Sequence, residues 1–360
     1  MIDRRTLGLA AAATLIGGPA MARTNARIPL VIAHRGASGE RPEHTEMAYS
    51  LAVAQGADFV EPDLVLTRDG HFVCRHENEI GGTTDVAARP EFAARKTTKV
   101  IDGETITGWF TEDFTLAELK TLRCRERLPG LRPANTAFDG RATIPTWEEL
   151  LALRRSWGRE VGLYPELKHP RHFESLGLKM EDRFAARLKD AGFDRRSAPV
   201  FVQCFEVGPL KTLRGLVKTP LVQLISDTGG PADRPDDTYA EMTGASGLKA
   251  IAAYADGAGP HSRHVVPTDG QTLLPATDFV RDARAAGLKV HPWTVRRENA
   301  FLPTALRSSA TLSERGDVAP LFAALFKAGA DGVFTDNPAE GVKARNMFIG
   351  GKAAPGPQGG

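Results

Sequence analysis

Residues 56–76 read GADFVEPDLVLTRDGHFVCRH, and the fold turns on them. Gly56 closes a helical pattern, Thr45 to Gln55, at a point where a left-handed C-cap is expected. Phe59 to Val65 is then an apolar run of β type carrying two carboxylates, Glu61 and Asp63, two residues apart. Side chains alternate between the faces of a strand, so both acids aim to one side. Asp69-Gly70 makes a turn, and His71 to His76 comes back as a second β-like run. A helix that passes directly into an apolar strand is one period of a parallel βα repeat.

The same period recurs along the chain. Strands are predicted at Leu30 to His34, Phe59 to Val65, Val161 to Lys168, Val200 to Phe205, Pro220 to Ser226, Ala255 to Gly259, Lys289 to Val295 and Asp331 to Asp336. Helical patterns lie between them, at Glu174 to Ala191, Gly208 to Leu216, Leu274 to Gly287 and Val318 to Ala328, several closed by glycine. Eight such units predict an α/β TIM (β/α)8 barrel spanning residues 23–348. The long interval after the second strand predicts a small insertion over the barrel mouth, about residues 77–145. Within the interval, Leu116 to Leu122 and Trp147 to Trp157 have helical periodicity. Asp227 to Leu248 reads as polar loop, and residues 349–360 as a disordered tail without apolar anchors.

The opening MIDRRTLGLAAAATLIGGPAMA has paired arginines, a short apolar run and an Ala-Met-Ala end, the pattern of a signal peptide over residues 1–22. Arg4-Arg5 ahead of a weakly apolar stretch points to twin-arginine export, hence to the periplasm. No stretch is long and apolar enough to span a bilayer, so stable membrane insertion is not expected. Lys+Arg 46 against Asp+Glu 44 leaves +2, with the basic residues scattered, so a nucleic-acid partner is set aside. Cys74, Cys124 and Cys204 are too few for a thiolate metal site, and Cys74 with Cys124 is the only pair an oxidising compartment invites.

A barrel of this kind carries its chemistry at the C-terminal ends of its strands, and polar residues are dense there. Glu61, Asp63 and Glu166 share one inward phase, as do Gln203 with Phe205 and His291 with Trp293. Three converging carboxylates repel one another unless protonated or neutralised, and an all-oxygen set selects a hard divalent ion, Ca²⁺ or Mg²⁺. Lys168 offers the metal-free alternative for Glu166. His34 and His76 are acid/base candidates, and Arg35 with Lys168 adds fixed positive charge suited to phosphate. Phe205 and Trp293 read either as barrel filler or as a substrate wall. His44 and Thr45 read as helix capping, His71 as exposed, and His169, His172, His261 and His264 as loop residues with no evident partner.

The runs His34-Arg35-Gly36-Ala37-Ser38-Gly39, Pro42-Glu43-His44-Thr45, Glu61-Pro62-Asp63-Leu64, Arg75-His76, Tyr164-Pro165-Glu166-Leu167-Lys168, Gln203-Cys204-Phe205, His291-Pro292-Trp293 and Gly332 to Pro338 closely resemble the periplasmic glycerophosphodiester phosphodiesterases. The resemblance covers every predicted strand in order. It implies hydrolysis of a small-molecule glycerophosphodiester to sn-glycerol 3-phosphate and an alcohol. It also implies that Glu61, Asp63 and Glu166 hold the divalent cation, most often Ca²⁺, that His34 and His76 are the acid/base pair, and that Arg35 and Lys168 contact phosphate. Gln203, Phe205 and Trp293 are expected to line the substrate site. Pro62, Glu77 and Trp293 depart from the family pattern in ways that bear on head group rather than chemistry. Three rival readings remain on the sequence alone: a non-catalytic exported binding protein, a phospholipase D-like enzyme acting on lysolipids, and a Schiff-base aldolase using Lys168.

Overall fold

The computed structural model describes residues 28–353; the expected export signal lies outside them, as does the end of the expected tail. Thirteen strands run β1 (Leu30–His34), β2 (Phe59–Glu61), β3 (Asp63–Leu66), β4 (Phe72–Cys74), β5 (Thr97–Ile101), β6 (Glu104–Gly108), β7 (Gly162–Leu163), β8 (Glu166–Leu167), β9 (Val202–Cys204), β10 (Leu221–Ile225), β11 (Gly257–Pro260), β12 (Lys289–Val290) and β13 (Gly332–Thr335). β13-β1-β2-β7 and β12-β11-β10-β9-β8-β3 are parallel runs of one barrel, and β4 folds back antiparallel on β3. Tyr164 N donates to Val60 O at 2.9 Å and Glu166 N to Pro62 O at 2.9 Å, which joins the two runs at one seam. Phe334 N to Pro292 O at 3.0 Å and Val295 N to Phe334 O at 2.9 Å close the other. The fold is the expected TIM barrel.

The second and third predicted strands each divide in two, at Pro62 and at Pro165, because proline brings no N–H to the ladder. The strand after β11 is broken in the same way by Pro292. All three prolines still accept through their carbonyls, from Glu166, Gln203 and Phe334, so the barrel stays continuous across them. Below this level the interior is filled by Ile32, Tyr164, Phe201, Val222 and Phe334. Tyr164 stacks on Phe201 with centroids 5.1 Å apart, and its hydroxyl meets His291 Nδ1 at 2.7 Å. The barrel is therefore a packed plug under its mouth, not a pore.

Other departures have local causes. The single helix expected over Glu174 to Ala191 is two, Pro170–Ser175 and Met180–Asp190, separated at Gly177, whose φ is +75°. The stretch expected as loop, Asp227 to Leu248, holds the helix Tyr239–Met242 and most of the first turn of Ala245–Ala252; a Thr238/Glu241 capping box starts the former. Inside the insertion, where no strands are predicted, the hairpin β5–β6 turns at Asp102-Gly103 with φ of 49° and 88°. The last helix, Pro338–Ala353, runs into the residues read as tail. Cys74, Cys124 and Cys204 are buried free thiols. Among the described residues no helix is long and apolar enough to cross a membrane.

Candidate active site

Strand register assembles the site. His34 lies beside Glu61 across β1–β2, Asp63 beside Glu166 across β3–β8, and Glu166 beside Gln203 across β8–β9. One carboxylate oxygen from each of Glu61, Asp63 and Glu166 falls within 4.8 Å of the others, and all three residues are buried. Glu61 Oε2 accepts the Arg35 amide at 2.7 Å and Glu61 Oε1 the Gln203 amide at 3.2 Å. Burial together with the charges of Asp63 and Glu166 raises the Glu61 carboxyl far above its ordinary range. Burial lifts Glu166 to about 8, against the pull of Lys168. Asp63 goes the other way: burial is outweighed by His76, His44 and Lys168, which hold it ionised. Asp63 Oδ1 and Gln203 Oε1 are buried without a hydrogen-bond partner.

Each histidine is backed by a carboxylate. His34 Nδ1 lies 2.6 Å from Asp336 Oδ1, and His76 Nδ1 is hydrogen-bonded to Glu77 Oε1. A carboxylate accepts, so Nδ1 carries the proton in both rings and Nε2 is the working nitrogen. Burial, with Arg35 adding to it, lowers His34 to about 4. Burial with Arg35 and Lys168 lowers His76 to about 3, and its Nε2 lies 3.2 Å from Lys168 Nζ. Lys168 also bridges back to Glu166 Oε1 at 3.0 Å.

A left-handed turn after β1 presents Arg35, φ 59°, and Gly36, φ 83°. Arg35 Nη1 donates to Glu43 Oε2 at 2.9 Å, and its Nε lies 3.3 Å from Asp63 Oδ2. Every residue expected to touch substrate lines one cavity of about 350 Å³: Arg35, Lys168, Gln203, Phe205 and Trp293, together with His34, His76 and Glu166. Phe205 and Trp293 meet edge to face at 5.6 Å, so they wall the cavity rather than fill the barrel. A second hollow of about 300 Å³ begins at Glu166, Lys168 and Phe205 and opens past Tyr239 into a groove of about 990 Å³ beneath the β5–β6 turn.

Several residues at the site carried no role in the sequence. His44 does not cap; Thr45 does, accepting from the Ala48 amide. His44 Nε2 instead donates to Asp63 Oδ2 at 2.9 Å while its Nδ1 meets Tyr49 Oη at 2.9 Å. Its φ of 53° lies in the left-handed region, as does that of Arg35, and φ is not written in letters. His169 pairs with Asp102 at 2.6 Å and His172 with Glu112 at 2.8 Å, which supplies the partners that spacing did not.

Two basic side chains and two carboxylate-backed imidazoles thus surround an acidic trio at the mouth of the TIM barrel, where such barrels carry their chemistry. Residues 34–340 match the glycerophosphoryl diester phosphodiesterase family. A glycerophosphodiester phosphodiesterase of Arabidopsis thaliana, GDPD6, is 37% identical over 320 residues, 86% of this chain and 83% of the plant protein. The glycerophosphodiester phosphodiesterase of Haemophilus influenzae is 31% identical, covering 87% of this chain and 89% of its own. Among solved structures, an Oleispira antarctica phosphodiesterase in complex with the product sn-glycerol-3-phosphate superposes with a TM-score of 0.58 at 23% identity, covering 89% of this chain and 97% of that one. The chain belongs to the glycerophosphoryl diester phosphodiesterase family, and it is an enzyme that hydrolyses glycerophosphodiesters.

Proposed function

We propose that the reaction releases sn-glycerol 3-phosphate and an alcohol, with Glu61, Asp63 and Glu166 holding a divalent cation and His34 and His76 moving the protons. The observation that carries this is the carboxylate trio itself, three buried acids with donor oxygens within 4.8 Å of one another and Asp63 Oδ1 left unpartnered beside them. Ionised together at that spacing, buried acids need positive charge among them. The donors are all carboxylate oxygens, which fits Ca²⁺ first and Mg²⁺ second. Such an ion, when bound, neutralises phosphate charge and makes a nearby hydroxyl more acidic.

The chain's own residues supply the rest. Lys168 and Arg35 line the cavity as fixed cations for the non-bridging phosphate oxygens. His34, neutral and holding its proton on Nδ1 against Asp336, offers Nε2 to take the proton of the attacking oxygen, either water directly or the glycerol hydroxyl, in which case water then opens the cyclic phosphate. His76, next to Lys168, takes up a proton at Nε2 from solvent once the anionic phosphate has raised its proton affinity, and passes it to the departing alcohol oxygen. Phe205 and Trp293 hold the glycerol end, and the hollow past Tyr239 leaves room for the alcohol.

Phosphorus NMR of a glycerophosphocholine digest tests the proposal. Turnover is expected with Ca²⁺, reduced with Mg²⁺ and absent with chelator. His34→Ala and His76→Ala are expected to lose turnover by at least about a hundredfold while still binding the cation in calorimetry. Undiminished hydrolysis after chelation would remove the metal, and near-wild-type hydrolysis by either histidine variant would remove its acid/base role.

A further inference from the structure

The mechanism uses His34 and His76 but not what stands behind their carboxylates, and there the insertion contributes two arginines. Arg132 Nη2 donates to Asp336 Oδ2 at 2.5 Å, leaving Oδ1 for His34; its Nε reaches Glu298 Oε1 at 2.6 Å and its Nη1 the Ser38 carbonyl at 2.9 Å. All three arms of that guanidinium are committed, and the side chain is 5% exposed. Arg127 Nη2 donates to Glu77 Oε2 at 2.5 Å, leaving Oε1 for His76. The same guanidinium clasps Glu43 through Nε at 2.8 Å and Nη2 at 2.6 Å, and Glu43 in turn holds Arg35.

The two halves have one design. On each side a histidine Nδ1 binds one oxygen of a carboxylate whose other oxygen binds an insertion arginine. A guanidinium on the far oxygen keeps the carboxylate ionised and fixes its plane, which fixes the imidazole's rotation and tautomer. We propose that Arg127 and Arg132 are positioning residues that hold His76 and His34 in their working tautomer, so that the insertion is a structural part of the acid/base apparatus and not only a cover over the barrel. This rests on the acid/base reading above. Asp336 has a second cation, Arg296 Nε at 2.9 Å, whereas among the described residues no other guanidinium is found on Glu77, so loss of Arg127 is the more damaging of the two.

The test uses the full chain labelled with ¹⁵N-histidine. Long-range ¹H–¹⁵N spectra read the tautomer of each ring, and His34→Gln and His76→Gln assign the signals. Arg127→Gln is expected to displace the His76 pattern and Arg132→Gln the His34 pattern, each leaving the other ring unchanged. In both, kcat falls by about tenfold to a hundredfold; KM is little altered in Arg132→Gln but rises in Arg127→Gln, where Glu43 is freed and steadies Arg35 less, and Arg127→Lys restores part of the loss by returning the charge without the fork. Arg89→Gln, at an insertion arginine paired with Asp85 and remote from both histidines, controls for loss of insertion stability. Unchanged imidazole spectra in folded Arg127→Gln and Arg132→Gln overturn the proposal, as does a kcat loss that Arg89→Gln reproduces. If instead the spectra move as expected while His34→Gln and His76→Gln keep their turnover, the positioning stands and the acid/base reading is what falls.

Discussion

At the scale of single residues, the site depends on groups that never face substrate. His44 is fully buried, and its two ring nitrogens are satisfied by Asp63 and Tyr49. Its contribution is to aim one carboxylate of the trio. His44→Ala is expected to weaken cation binding by about tenfold to a hundredfold, with most of kcat recovered at saturating cation, since the carboxylate remains but is no longer held. Calorimetric titration with Ca²⁺ measures the first effect and an activity titration the second; unaltered affinity would reduce His44 to packing. Nothing in Pro42-Glu43-His44-Thr45 distinguishes this histidine from a neighbour of a cap. Its partner is nineteen residues along the chain, on β3, and only the folding of the first βα unit brings them together.

At the scale of elements, the turn after β1 converts a strand end into a binding site. Gly36 at φ 83° is required twice over, because a Cβ there would lie 2.6 Å from the Ala48 carbonyl carbon in the helix that follows. Gly36→Ala is expected to cost about 2–5 kcal/mol, combining left-handed strain with a backbone clash, and to lower activity by displacing the Arg35 amide from Glu61. Denaturant melts check the first part; a loss under 1 kcal/mol, about the scale of an ordinary surface change, would contradict it. Strands and their inward phase were legible because alternation is a property of neighbouring letters, and so were Glu61, Asp63, Glu166, His34 and His76. The divided helix at Gly177 and the hairpin at Asp102-Gly103 were written in local signals too, a glycine and an Asp-Gly turn, but competed with a helical pattern and a polar composition. The roles of Arg127, Arg132 and Asp336 were not legible, since their contacts join the insertion to opposite ends of the chain.

At the scale of the whole molecule, acid is the expected weakness. His291 is buried under the site with Nε2 unpartnered, and burial holds it at about 3 against 6.5 for a free imidazole. Between those values the unfolded chain binds a proton that the folded one refuses, so stability falls as pH drops from 6.5 toward 3. His34 at about 4 and His76 at about 3 act in the same direction. The share of His291 in that loss is on the order of a few kcal/mol between pH 7 and pH 4 at fixed ionic strength, opposed over the same range by Glu61 and Glu166, whose raised carboxyls make the folded chain the better proton binder. His291→Phe should flatten that slope, though it strands the Tyr164 hydroxyl and lowers stability at neutral pH. Parallel slopes for the two proteins would acquit His291.

The pairing of β1 with β13 governs when any of this comes into being. Leu30 is hydrogen-bonded alongside Gly332, and His34 is coupled to Asp336 across 302 intervening steps of chain. During synthesis the first stave must wait, one edge bare, until Gly332 to Thr335 have been made, some three hundred residues later. A nascent chain stalled before Gly332 therefore carries an open, adhesive sheet and an imidazole without its carboxylate, and closure of the ring and the pairing of His34 with Asp336 arrive as a single event.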